Sequence, residues 1–134
     1  RTVDKAFNAV LKFRVKLGFT TNIKVEFGSK IDDNNATRFI YNAAGSAVNW
    51  FAETKTSGVS TSNDCLVAGN TSFHLYEIQY TNTAIRFYID GTLVATNTTN
   101  LFSGLARVYF RVESNSAATR TAQFDYVKVS GDRA

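Results

Sequence analysis

The chain has no proline and no methionine, and only one cysteine and one histidine, in 134 residues. Without proline, its turns must be made by Gly, Asn, Asp and Ser. The single Cys65 cannot close an internal disulfide, and one thiol with one imidazole cannot supply a Cys/His zinc set. In the run Cys65-Leu66-Val67-Ala68 the cysteine reads as a small buried hydrophobe; an exposed thiol there would point instead to an intermolecular disulfide. No apolar run approaches the ~20 residues that span a bilayer, and no signal peptide is visible. The start at Arg1 rather than Met points to a processed protein or a piece of a longer one. There is no glycine-rich phosphate loop and no HExxH helix motif. Fifteen Lys and Arg against eleven Asp and Glu give a net charge of +4, but the basic residues form no dense patch, so nucleic acid is not an expected partner.

What is present favours strands. Apolar residues make up 44% and charged residues 19%, a globular balance, with abundant Asn and Thr. Leu11, Phe13, Val15, Leu17 and Phe19 alternate with Lys12, Arg14, Lys16 and Gly18. Ile23, Val25 and Phe27 alternate with Lys24 and Glu26, and Val48, Trp50 and Ala52 with Asn49, Phe51 and Glu53. A period of two puts one face in a core and the other in water, the mark of antiparallel sheets. Further strands are expected at 38–42, 65–68, 74–80, 85–89, 93–97, 105–113 and 121–129. Turn clusters separate them at 20–22, 28–36, 43–46, 57–64 and 114–119. About ten such strands and no helix give an all-β sandwich in one domain, residues 9–130, with an N-terminal arm (1–8) and a C-terminal tail (131–134). Asp90-Gly91, between Phe87-Tyr88-Ile89 and Leu93-Val94-Ala95, is the strongest hairpin signal, because a turn that follows strand twist needs positive φ.

Three segments carry a family resemblance: His74-x-Tyr76-x-Ile78, Ile85-x-Phe87-Tyr88-Ile89-Asp90-Gly91-x-Leu93-Val94, and Phe124-Asp125-Tyr126-Val127-Lys128-Val129. Together they resemble the concanavalin A-like lectin/glucanase superfamily, which includes laminin-G-like domains and family 16 glycoside hydrolases. The resemblance covers roughly residues 7–130 and implies a jelly roll of two curved antiparallel sheets. The Asn/Thr-rich style, as in FRVESNSAATRTAQFDYVKV, is similar to modules of bacteriophage structural proteins.

Family 16 enzymes place their carboxylates as Glu-x-Asp-x-Glu on one strand, whereas here Glu26, Glu53, Glu77 and Glu113 each stand alone. On that ground the expectation is a non-enzymatic module of a virion or other extracellular assembly, acting in assembly or attachment, its partners being other subunits and its state a homo-oligomer. The alternative is a lectin-like carbohydrate-binding module; a glycoside hydrolase is the remote reading. By strand parity Arg86 and Tyr88, and Arg107, Tyr109 and Arg111, face outward. They are expected side by side as a ligand face, Tyr and Arg being hot-spot residues. Trp50 falls in the core and Phe51 outside. Asp32 and Asp33, with Asn34 and Asn35, are the candidate calcium ligands, with Asn63-Asp64 a weaker pair. Asn35, Asn70 and Asn97 head Asn-x-Ser/Thr sequons. His74 reads as a structural histidine bonded to backbone or carboxylate.

Overall fold

A computed structural model of the chain describes residues 2–5 and 8–131. Its strands are β1 (Thr2–Val3), β2 (Val10–Leu17), β3 (Ile23–Asp32), β4 (Asn35–Ala43), β5 (Asn49–Thr56), β6 (Val59–Ala68), β7 (Phe73–Tyr80), β8 (Ile85–Ile89), β9 (Thr92–Asn97), β10 (Ala106–Ser114) and β11 (Ala122–Ser130). They form two antiparallel sheets, of order β1-β10-β3-β4-β5-β6 and β11-β2-β7-β8-β9. This is the jelly-roll sandwich that the alternation and the resemblance imply. Of the expected N-terminal arm, residues 1, 6 and 7 lie outside the described set, as do residues 132–134 of the expected tail. Thr2 and Val3 lie along β10 of the same chain, opposite Arg107 and Ala106.

The core is the inward half of each alternating run. Leu11, Phe13, Val15 and Leu17 of β2 face Ile23, Val25 and Phe27 of β3 and Phe39 and Tyr41 of β4, all essentially inaccessible. Each such side chain contributes about 1.5–3 kcal/mol by leaving water. Phe27 sits at the centre, its ring 4.9 Å from Phe13, 5.1 Å from Tyr76, 5.5 Å from Trp50 and 5.7 Å from Phe110. These tilted, edge-on and stacked arrangements add roughly 0.5–1.5 kcal/mol per pair beyond burial. Trp50 is buried and Phe51 half-exposed, as parity requires.

Asp90 (φ 51°) and Gly91 (φ 82°) make the expected tight turn between β8 and β9. Asp90 does more than turn the chain. Its carboxylate accepts from the Leu75 amide at 2.9 Å and meets His74 Nδ1 at 2.5 Å, while His74 Nε2 lies 2.7 Å from Asn70 Oδ1. The histidine thus ties the start of β7 to the β8–β9 turn, the structural role its sequence position suggests.

Two expected loops are strand instead. Residues 28–36 are mostly the ends of a β3–β4 hairpin, with only Asp33 and Asn34 between the strands; residues 59–64 belong to β6, after a two-residue turn at Ser57 (φ 50°) and Gly58 (φ 81°). Both stretches are polar, and polar strands carry no apolar alternation to be read.

Cys65 is buried and unpaired. Burial, helped by the charge of Asp64, pushes its thiol up to about 12. Because the thiolate is the nucleophile, the folded protein is expected to resist iodoacetamide at pH 8. The urea-unfolded chain should alkylate at the rate of a free cysteine. Equal rates in the two states would show that the thiol is accessible.

Candidate functional site

The outward face of the six-stranded sheet carries an unusual row. By register, Tyr109 of β10 lies beside Gly28 of β3, Gly28 beside Arg38 of β4, and Arg38 beside Glu53 of β5. Strand pleating sends all four the same way. Gly28 leaves a gap in that row, and the Arg38 side chain fills it. Its Nη1 donates to the Tyr109 hydroxyl at 3.1 Å, and its Nε donates to Glu53 Oε1 at 2.7 Å. Nη1 also lies 3.4 Å from Glu26 Oε1 in the next row. Gly28 is further required because a Cβ there would fall 2.1 Å from the Thr37 carbonyl oxygen.

This cluster is buried although it lies on the outside of a sheet. Glu26 is 2% exposed and Arg38 8%. Lys24, Arg111 and Tyr109 lie over Glu26, with Lys24 Nζ 3.8 Å and Arg111 Nη1 3.9 Å from its carboxylate. Burial works against the Arg38 charge, but Tyr109, Glu53 and Glu26 outweigh it, and the guanidinium is held above its ordinary value. Burial pushes the Tyr109 phenol up, so it is neutral at physiological pH. Lys30 Nζ sits 4.5 Å from the centre of the Tyr109 ring, within cation–π range. Phe51, Ile40, Glu26 and Arg111 make up the neighbouring row. The face therefore offers an aromatic ring, a phenol, an anchored guanidinium and two carboxylates that share it. Glu53 is the more reachable carboxylate, with 13% of its side chain exposed against 3% for Glu26.

The two halves of the expected ligand face do not meet. Arg107, Tyr109 and Arg111 lie on β10, in the six-stranded sheet, whereas Arg86 and Tyr88 lie on β8, in the other. Parity placed each set outward, but it cannot say which sheet a strand joins, and the two outward faces point away from each other. Tyr88 instead donates to the Gln79 amide oxygen Oε1 at 3.4 Å, on the neighbouring strand. Arg38, the centre of the cluster, carried no sequence signal beyond its opposite charge to Glu26 and Glu53. Using that signal requires the hairpin registers of β3, β4 and β5.

The other expected site residues also have definite surroundings. Asp32 Oδ1 accepts from the Asn34 amide at 2.8 Å and from Asn35 Nδ2 at 3.1 Å, while Asp33 pairs with Lys30 Nζ at 3.0 Å. The Lys30 ammonium holds the Asp33 carboxyl below its usual range. This is turn chemistry with a cation already supplied. Among the described residues no group of three or more His, Cys, Asp or Glu gathers as a metal site. Asp64, of the weaker pair, accepts from the Leu66 amide and from Asn49. Of the sequon asparagines, Asn70 is exposed and Asn35 partly so. Asn97 is 1% exposed, its side chain turned inward at the end of β9, so it cannot carry a glycan in the folded protein.

The family model "Glycosyl hydrolases family 16" matches residues 23–122, which include every strand from β3 to β10. The chain belongs to glycosyl hydrolase family 16. That membership overturns two expectations, the virion module and the assignment outside enzymes. Both rested on the missing Glu-x-Asp-x-Glu and on an impression of style, and nothing found supports a phage origin. Solved structures share the fold at low identity. A β-1,3-glucanase from Mycobacterium marinum superposes with a TM-score of 0.71 at 13% identity, over 97% of this chain and 65% of its own. A pseudo β-1,3-glucanase of Mycobacterium tuberculosis gives 0.72 at 9%, over 99% and 67%. The carbohydrate-binding module CBM66 from Bacillus subtilis gives 0.61 at 14%, over 98% and 78%. This family 16 domain thus spans about two thirds of the length of those two glucanase-type chains. No curated protein sequence matches it significantly.

Proposed function

We propose that this family 16 domain handles a polysaccharide along the outward face of its six-stranded sheet, as a glycosidase-type domain with Glu53 as the working carboxylate. The carrying observation is the row Tyr109–Gly28–Arg38–Glu53, set beside Phe51 and Glu26 on strands that the family model covers. Phe51, 37% exposed, supplies a ring on which a sugar can stack. Arg38 and Tyr109 supply donors to sugar hydroxyls. Glu53 and Glu26 bond to one guanidinium, so they lie no farther apart than the upper limit of about 9.5 Å for paired glycosidase carboxylates. In this arrangement Glu53 moves the proton at the glycosidic oxygen, and Arg38 fixes the direction in which its carboxylate points. The glucanases among the structural neighbours suggest β-1,3-glucan as the first substrate to try.

The second reading is retention of a glycan without cleavage. It is favoured by the outward positions of β5, Asn49, Phe51, Glu53 and Lys55, of which one alone is a carboxylate. One experiment separates the readings. The domain is incubated with β-1,3-glucan oligosaccharides while new reducing ends are counted, and binding is measured in parallel by calorimetry. Hydrolysis that falls by about 10²–10⁴ in Glu53→Gln, the usual weight of an acid–base group, supports the first reading. Binding without products, weakened by Phe51→Ala, supports the second. Neither products nor binding on a panel of glucans would sink both.

A further inference from the structure

Among the described residues, the non-glycine positions with a left-handed backbone are Asn8, Asn22, Ser57, Asp90, Asn100 and Leu66. All but Leu66 are Asn, Asp or Ser and lie between strands, where short polar side chains tolerate this conformation. Leu66 is apolar, branched and inside β6, at φ 57°. Its Cβ crowds the following carbonyl in that conformation, so the strand holds a strained residue there. The strain comes from a bulge. Phe51 of β5 pairs with Asp64, and Asn49 with Ala68, so Cys65, Leu66 and Val67 stand opposite Trp50 alone. The Asp64 carboxylate fixes the bulge. Its Oδ1 accepts from the Leu66 amide at 2.8 Å and from Asn49 Nδ2 at 3.1 Å. Cys65 is buried and Val67 packs against the core, so Leu66 between them points outward. It is 81% exposed, on the same face as Phe51. Burial does not account for a leucine here, and asparagine or glycine would hold the same backbone without the strain.

We propose that Leu66 contacts the glycan, forming the wall of a subsite one step beyond the Phe51 ring. This deepens the glycan reading and rests on it. Phe51 lies one same-face step from Glu53 along β5, about 6.8 Å at 3.4 Å per residue. The bulge lies on the far side of Phe51 from Glu53. A sugar chain that reaches Glu53 and stacks on Phe51 therefore brings its next unit to Leu66. The leucine side chain neither donates nor accepts a hydrogen bond, so it meets the C–H face of a sugar ring and not its hydroxyls. That fits a β-linked glucan, whose rings carry their hydroxyls around the rim and leave both faces C–H. A ring with an axial hydroxyl on the contacted face would lose a hydrogen bond to water there without replacement. Strained residues gather at ligand clamps, and the bulge sets this one beside the platform where a sugar can stack. Asp64 is a positioning residue, acting through the bulge it holds.

The test uses β-1,3-gluco-oligosaccharides of increasing length, with urea unfolding in parallel. Leu66→Asn accepts the left-handed backbone and removes the apolar contact. Its urea midpoint should rise, because the strain is relieved and little buried surface is lost. For the longer oligosaccharides KM, or Kd where no product forms, should rise by about tenfold, the weight of one apolar contact. The maximal rate should be unchanged, the mark of lost uniform binding. The shortest oligosaccharide, which cannot span from Glu53 past Phe51, should be unaffected. A more stable fold with a weaker grip on long chains is a combination that a merely structural leucine does not give. If Leu66→Asn leaves long-chain affinity within about twofold while Phe51→Ala lowers it, this inference falls and the glycan reading stands. A lowered urea midpoint also overturns it, because the leucine would then serve packing. No binding of any glucan by the unmodified domain sinks the glycan reading, and this inference with it.

Discussion

Arg38→Met is expected to destabilise the domain by about 3–5 kcal/mol, the cost of removing one partner from a buried ion pair. The check is a urea unfolding curve, in which the midpoint falls while the slope is unchanged. Glu26 sets the size of the loss. Its carboxylate is out of water at 2% exposure, and its nearest cation is the Arg38 Nη1 at 3.4 Å. With Arg38 gone, only Lys24 at 3.8 Å and Arg111 at 3.9 Å remain, both on partly exposed side chains. Glu53 loses its 2.7 Å bond and Tyr109 its donor in the same step. Lysine should not rescue. One ammonium cannot satisfy Glu26, Glu53 and Tyr109 from the position that a planar guanidinium serves. Adding Glu26→Gln to Arg38→Met should recover part of the loss, because the orphaned charge is then absent. If Arg38→Met costs under about 1 kcal/mol, as an exposed pair would, the cluster is a solvated face and the site loses its anchor.

The strands that the sequence made legible are those with one wet and one dry face. β2, the first half of β3, β7 and β8 alternate cleanly, and Asp90-Gly91 marks its turn because only a few residues accept positive φ there. β6 was not legible. Its inward positions include Thr61 and Asn63, which bond to Asn97 and Asn100 instead of packing on apolar groups, so the segment reads as a Ser/Thr/Asn loop. The candidate site was half legible. Parity gave the outward direction of Tyr109, Arg111 and Glu53, but no property of a strand taken alone says which strands become neighbours. Arg86 and Tyr88 were therefore grouped with residues on the opposite face. The single carboxylates were read against a one-strand motif, whereas Glu26 and Glu53 come together from β3 and β5 across Arg38, an arrangement that only the sheet order reveals.

Asn97 is where this limit has its largest consequence for stability. Its sequon, Asn97-Thr98-Thr99, reads as a surface feature, yet the side chain closes the sandwich between β9, β5 and β6. Its amide nitrogen lies 3.2 Å from Thr54 Oγ1 and 3.3 Å from the carbonyl oxygens of Ala52 and Thr61. Its amide oxygen accepts from Asn63 at 2.7 Å. Thr54 in turn donates to the Thr99 carbonyl at 2.9 Å. Among the described residues no buried side-chain polar atom lacks a partner, and removing the hub of this network breaks that condition. Asn97→Ala is expected to cost about 2–3 kcal/mol, since buried polar groups left unmade cost more than a bond contributes. Asn97→Asp should cost more than alanine despite its matching shape, because it presents an acceptor to three acceptors and buries a charge with no cation beside it. Thermal unfolding of the two variants gives the order. An aspartate as stable as the parent would mean that the β6–β9 flank is open to water, and in that case the sequon could be used. With the flank closed, peptide mass spectrometry of protein made in a glycosylating host should find Asn97 unmodified.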